Sequence, residues 1–375
     1  MFDFTSALYL GLRHPSGSLP PWSQLTTGRP AVLGVPASQE RVAQGFAELQ
    51  GCERGILGPS TLHLFWDLFG VFGARGVAIY LDDGTYPIAR WGVERAAGAG
   101  IPALRFGHHD PGALERLLKR DALRRLRPIV VADGFCPGCG EPAPIAAYLK
   151  SVRRLGGYLV LDDTQALGIL GHSPRAGVDY GLGGGGSLRW SNVSGPDIVM
   201  VSSLAKGFGV PVAVLAGDSA LLGRFEAQSE TRMHSSPPSA AVVHAAERAL
   251  SINHHSGETL RARLAQRVRR FREQLALRRL GARGGLFPVQ TLTPGAARDA
   301  RLVHARLAAS GIRAVLHAAR SGRASRISFL ITARHRVSDL DRAAEALARA
   351  FAEALGDSTS LETTHGYLDL QFGTV

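Results

Sequence analysis

With 375 residues, 45% of them hydrophobic and 20% charged, the chain can bury a large core and a second, smaller domain, and its composition is that of an ordinary soluble globular protein. No apolar run reaches membrane-spanning length, Met1-Phe-Asp-Phe-Thr-Ser6 lacks the basic-then-apolar order of a secretion signal, and three cysteines are too few for a disulfide framework, so a cytoplasmic location is expected. The net charge of +12 raises nucleic acid or an acidic membrane as a partner, but the arginines are scattered along helical patterns such as 261–272 with no nucleic-acid module, which points to a solvated face.

The first forty residues, rich in Pro, Gly and Ser, read as an arm carrying one apolar piece, Ala7-Leu-Tyr-Leu-Gly-Leu12. Helical spacing over Gln39 to Gln50 stops at Gly51. Gly55 to Phe69 reads as a short apolar strand, a turn bearing Ser60 and Thr61, and an apolar helix. Such a unit brings free backbone N–H groups and hydroxyls to one point, as phosphate sites do, although capping the helix is a far commoner role for a residue such as Ser60.

From there strands and helices alternate: strands at 77–81, 103–106, 129–132 and 158–161, helices at 88–99, 111–125 and 143–155. Crossover units of this kind predict a parallel sheet with helices on both faces and ligands beyond the carboxyl ends of its strands. Asp82, Asp133, Asp162 and Ser203 should then share one rim. Gly181 to Ser187 reads as a flexible loop, Ser239 to Leu275 as a long helical stretch interrupted near Asn253 to Gly257, and the rest as strands at 286–291 and 326–331 with helices at 296–309 and 338–354. The expected domains are an arm (1–40), a large domain (41–240), a connecting helical stretch (241–280) and a small α+β domain (281–375).

Lys206 lies between two apolar, β-rich runs, Ile198 to Val201 and Val210 to Ala216, and is one of only three lysines among 43 basic residues. Where a mere cation sufficed, arginine was used. An amine between apolar strands loses hydration and its pKa falls, which suits it to attack an aldehyde, whereas a guanidinium never deprotonates. Asp162 follows its own apolar strand ahead of this lysine. A buried carboxylate in that order is what pyridoxal phosphate (PLP) requires beside its ring nitrogen.

On these residues the chain resembles the PLP-dependent α-oxoamine synthases, the family of 8-amino-7-oxononanoate synthase and 2-amino-3-ketobutyrate ligase, within the fold-type I aminotransferase superfamily. Leu161-Asp162-Asp163-Thr-Gln165-Ala-Leu-Gly168 is similar to the family's aspartate motif, Ser203-Leu-Ala-Lys206-Gly-Phe-Gly209 to its lysine motif, Phe106-Gly-His108-His109-Asp110 to "F-x-H-N-D", and Ser325-Arg326-Ile-Ser328 with Thr332-Ala-Arg-His335 to a segment of its small domain. The resemblance implies an α/β fold with a large parallel-sheet domain and a smaller α+β C-terminal domain, assembled as a homodimer. It implies that Lys206 forms the Schiff base and shuttles the α-proton, that Asp162 pairs with the pyridine nitrogen, and that Ser60, Thr61 and Ser203 contact the phosphate, with Ser235 or Ser236 from the other subunit. It also places Asp133 among the cofactor-binding residues and gives Arg326 the substrate carboxylate, a two-pronged task that suits arginine.

The chain departs from the family pattern at several positions. The ring-stacking histidine falls at Tyr86, and the histidine near the cofactor's phenolic oxygen is Gln165, which can donate a hydrogen bond but cannot titrate. The family's "E-G-x-x-S-M-D-G" reads Asp133-Gly-Phe-Cys136-Pro-Gly-Cys139-Gly140. A lone C-x-x-C is a weak metal signal, and no metal site is expected. The implied reaction joins an amino acid to an acyl thioester of coenzyme A or a carrier protein, with decarboxylation, to give an α-amino ketone. Transamination, decarboxylation or aldol cleavage on the same scaffold is the alternative that the two lost histidines favour.

Overall fold

The computed structural model describes residues 1–73, 76–121, 125–292, 297–317 and 325–368, without side chains for 297–299 and 355–368. Two compact units emerge, residues 10–136 with 141–262, and residues 1–9, 137–140 and 263–375, so the division falls inside one long helix.

The larger unit is built on seven strands: β1 (Arg54–Gly58), β2 (Val77–Asp82), β3 (Ala103–Phe106), β4 (Arg127–Asp133), β5 (Tyr158–Asp162), β6 (Ile198–Ser203) and β7 (Ala213–Gly217). Their order across the sheet is β1-β7-β6-β5-β4-β2-β3. The sheet is mostly parallel, as the crossover units predict, with one antiparallel strand. β7 runs antiparallel to both β6 and β1. The nine residues between Ser203 and Ala213, which carry Lys206, hold no helix, and a parallel return needs a crossover of a dozen residues or more.

Helices cover both faces, as alternation along the strands requires. Ile79, Leu81, Ile129, Val131, Val160 and Val199 point to one side, toward α2 (Thr61–Val71), α3 (Pro87–Gly98) and α6 (Ser219–Gln228). Tyr80, Val130, Ala132, Leu159, Leu161 and Met200 point to the other, where α4 (Pro111–Asp121) and α5 (Ile145–Arg153) pack. α1 (Ala37–Gln50) closes on Gly51 in the left-handed conformation, the stop read from the sequence.

Two expectations are corrected. The helix α7 (Ala240–Leu277) is continuous through Asn253 to Gly257. Its Asn253 donates to Gly183 O (3.0 Å), and Arg261, 2% exposed, donates to Asn253 Oδ1 (2.8 Å) and Gly168 O (3.0 Å), so tertiary bonds hold the weak helix formers in register. The glycine-rich stretch 181–187 is packed tightly rather than left as a loose linker. Ser187 N–H donates to Asp163 (3.0 Å), and at Gly186, whose φ is +85°, a Cβ would collide with the Asp163 carboxylate.

The smaller unit has an antiparallel sheet of β8 (Val289–Leu292), β9 (Val315–His317) and β10 (Arg326–Leu330), with β10 central. Its helices are α8 (Ala297–Ala309) and α9 (Val337–Leu368). The chain start belongs here, since Phe2–Asp3 pairs in parallel with Ile312–Arg313 and Phe4 packs fully buried against Phe271, Phe329 and His335.

Candidate active site

Asp82, Asp133, Asp162 and Ser203 are the last residues of the adjacent strands β2, β4, β5 and β6, and so close one rim of the sheet. Asp133 and Asp162 are direct partners in the parallel register. Asp162, 6% exposed, accepts from Thr164 N–H (3.0 Å). Burial raises its carboxyl above the ordinary range, while Thr164 and the Lys206 charge pull the other way. Asp133 is raised further, by desolvation and then by the charge of Asp162, so the pair favours one ionised member.

Lys206 sits in the β6–β7 turn, half-buried, with Nζ 5.9 Å from the Tyr86 ring centre. Burial pulls its amine below the ordinary lysine range, against the opposing pull of Asp162 and Asp133. Tyr86 is 53% exposed and precedes α3, and its backbone N–H donates to Asp133 Oδ1 (3.0 Å). Thr164 joins the two motifs, because Ser203 N–H donates to its Oγ1 (3.0 Å). Gln165, three residues beyond the end of β5, follows Thr164 on this turn and is half-buried.

Ser60 occupies the N-cap position of α2, yet its side chain makes no capping bond. Its Oγ is hydrogen-bonded to His63 Nδ1 at 2.9 Å. The first-turn N–H groups at Thr61 therefore lack the cap's satisfaction and remain available to an anion. Ser235 and Ser236 line a small cavity together with Gly58, Pro59 and His63 of this same turn, and Ser235 Oγ donates to Thr231 O (2.6 Å).

In the smaller unit Arg326 opens β10 opposite His317. Burial, then the guanidinium of Arg326, holds the His317 imidazole below its usual value.

Three residues near this rim escaped the sequence reading. His63 could have been found from its spacing of three after a cap position. Thr164 lay inside a motif whose flanking residues drew the attention. His14 carried no signal, but its Nε2 bonds to Phe208 O (2.9 Å), two residues past Lys206, and its buried Nδ1 has no partner among the described residues.

A family model described as aminotransferase class I and II matches residues 34–347. An 8-amino-7-oxononanoate synthase from Sodalis glossinidius (strain morsitans) is 26% identical over 358 residues, covering 93% of this chain and 87% of that protein. Among solved structures, a variant of serine palmitoyltransferase from S. paucimobilis with bound PLP-myriocin aldimine superposes with a TM-score of 0.81 at 15% identity, over 94% of this chain and 87% of that one. The 8-amino-7-oxononanoate synthase of Francisella tularensis gives 0.74 at 16% identity, over 93% and 97%. With a rim that gathers a desolvated lysine and a buried aspartate, and a family match across most of its length, the chain belongs to the aminotransferase class I and II family and has the fold-type I architecture of the PLP-dependent transferases.

Proposed function

We propose that the protein is a PLP-dependent α-oxoamine synthase, which condenses an amino acid with an acyl thioester of coenzyme A or a carrier protein and releases an α-amino ketone and carbon dioxide. The observation that carries this reading is the desolvated Lys206 amine under the Tyr86 ring and within the field of the Asp133–Asp162 pair.

The residues present fit PLP. Asp162 is a buried carboxylate short of counter-charge, matched to a ring nitrogen that carries a proton, and the uncapped start of α2 with Ser60 and Thr61 is matched to a phosphate. When bound, PLP supplies an aldehyde for an amine and a ring that stabilises a carbanion. Asp162 would keep the ring nitrogen protonated. Lys206 would hold the group and move the proton at the substrate α-carbon, for which a lowered amine pKa is suited. Tyr86 would cover the ring face, Gln165 would donate to the phenolic oxygen, and Asp133 would serve through the Tyr86 backbone that it fixes. Ser203 is assigned to the phosphate and Arg326 to the amino-acid carboxylate.

The homodimer and cytoplasmic location belong to the same proposal, with Ser235 and Ser236 serving the partner's phosphate site. Among the described residues no helix is long and apolar enough to cross a membrane. Tyr86 and Gln165, standing where the family has histidines, favour a second reading in which transamination, decarboxylation or aldol cleavage is the net reaction. Protein loaded with PLP and screened with amino acids by mass spectrometry, with and without acyl thioesters, separates the two. Thioester-dependent release of an α-amino ketone supports the synthase, and turnover that ignores the thioester supports the second reading.

A further inference from the structure

The start of α2 holds a hydrogen bond in which either atom can carry the hydrogen. Ser60, extended at the N-cap, accepts from Leu64 N–H (3.3 Å) through its carbonyl, as a cap residue does, but its Oγ meets His63 Nδ1 (2.9 Å) instead of the first-turn N–H groups. His63 is the third helical residue, the position whose side chain in a capping box reaches back to the cap's backbone. Here it reaches the cap's hydroxyl. Both residues are half-buried, which shields the bond from water, and Ser60 is the one hydrogen-bond partner of the His63 ring among the described residues. Asp67, one turn further along α2, lines the same small cavity as His63, but its oxygens accept from Ser229 O–H, Thr231 N–H (3.2 Å) and Thr231 O–H (2.5 Å).

Which atom supplies that hydrogen decides what Ser60 can do. A hydroxyl has a single hydrogen, whereas an imidazole nitrogen either donates or accepts. With Nδ1 bare, the Ser60 hydrogen is used on the ring, and only oxygen lone pairs are left to face a phosphate that itself offers acceptors. With the hydrogen on Nδ1, Oγ accepts from the ring and its own O–H is free to donate to a phosphate oxygen, alongside the first-turn N–H groups. We propose that His63 is a positioning residue of the cofactor's phosphate site, supplying the hydrogen of the Ser60–His63 bond so that the Ser60 hydroxyl donates to the phosphate. This rests on the reading that the start of α2 receives the PLP phosphate, and it adds a residue that acts through Ser60 rather than by contact.

The pair also accounts for the uncapped helix start. A cap bond would turn the Oγ lone pairs onto the N–H of Leu62 or His63 and so occupy a donor that an anion needs, and His63 prevents this by holding Oγ elsewhere. The turn that carries Ser60 is held close, because a Cβ on Gly58 would meet Leu64 Cδ2 at 2.6 Å, so the end of β1 packs directly on the first turns of α2. Besides Asp67, the charged residue that lines the cavity with His63 is Arg232, so the two opposite charges there leave no net charge to exclude an anion.

The test is absorbance titration of the full chain, stripped of cofactor, with PLP and with pyridoxal, which has no phosphate. Wild type, S60A, H63A, H63N and the double variant S60A/H63A are compared, with circular dichroism to confirm folding. H63A is expected to weaken PLP about tenfold and to leave pyridoxal within about twofold of wild type. In H63N the amide Nδ2 takes the place of the imidazole Nδ1 and carries hydrogens, so PLP affinity should stay within about threefold of wild type. Once S60A has removed the hydroxyl, H63A should add less than about twofold. Should H63A not fold, H63L makes the same comparison. Wild-type PLP affinity in a folded variant without the ring, equal losses for PLP and pyridoxal, no recovery in H63N, or an undiminished loss in the S60A background overturns the proposal. A weakened S60A beside an unchanged H63A removes only the role of His63, whereas an S60A that binds PLP as tightly as wild type removes the phosphate assignment of Ser60 itself.

Discussion

Asp133 and Asp162 face each other across two parallel strands, and their carboxyl groups end the sheet beside the half-buried Lys206. Neither carboxyl is in its ordinary range, because each is desolvated and Asp133 also feels the charge of Asp162. A lysine amine shared between two such groups has its charge state set by the site rather than by bulk pH.

Replacing Lys206 by alanine is expected to abolish borohydride-fixed cofactor on this residue and to lower kcat by about a hundredfold or more, in the range general acid–base groups contribute. Peptide mapping after reduction and circular dichroism check both points. Wild-type turnover in a folded K206A would remove the lysine from the chemistry.

Ser60→Ala separates a phosphate ligand from a helix cap. A cap hydroxyl costs about 1 kcal/mol of stability when lost, but this one points to His63 and makes no capping bond. The expected result is a melting temperature within a degree or two of wild type and PLP affinity weakened about tenfold, read from absorbance titration. Lower stability with unchanged affinity would reverse the assignment.

Asp163 predicts a pH dependence of stability. It is fully buried, and that burial raises its carboxyl to about 7, against the hydrogen bonds from Ser187. Between the unfolded value near 4 and the folded value near 7 the native state holds a proton that the unfolded chain has released. Its contribution is therefore present below about pH 4 and lost as pH rises to about 7, on the order of 4 kcal/mol in all. Urea unfolding of D163N from pH 5 to 8 should show a flatter profile than wild type, and parallel profiles would refute this assignment.

Arg261 is a buried cation tied to Gly168 O, Asn253 Oδ1 and Glu258. Arg261→Ala removes a partner from several buried groups at once and is expected to destabilise the larger unit by about 3 kcal/mol. Because Gly168 follows the turn that carries Thr164 and Gln165, weaker PLP binding should accompany the loss. Denaturant unfolding and cofactor titration on the same samples check the pair.

Local pattern carried much of this molecule. Continuous apolar runs bounded by polar residues located β2 to β7, since a strand buried on both faces must be apolar throughout, and the same runs put Asp133, Asp162 and Ser203 at strand ends. The scarcity of lysine isolated Lys206 without any structure. What only tertiary structure decided were facts that depend on partners distant in sequence. The direction of β7 followed from the turn's length and the vacant edge beside β6. The continuity of α7 came from Arg261 and Asn253 bonding to residues 168 and 183. Ser60 was released from its cap by His63, and His108 was fixed by Asp82, which lies on a strand far from it in sequence. Hydrophobic periodicity is written into neighbouring residues, whereas a hydrogen bond between side chains far apart in the chain exists only once the fold has brought them together.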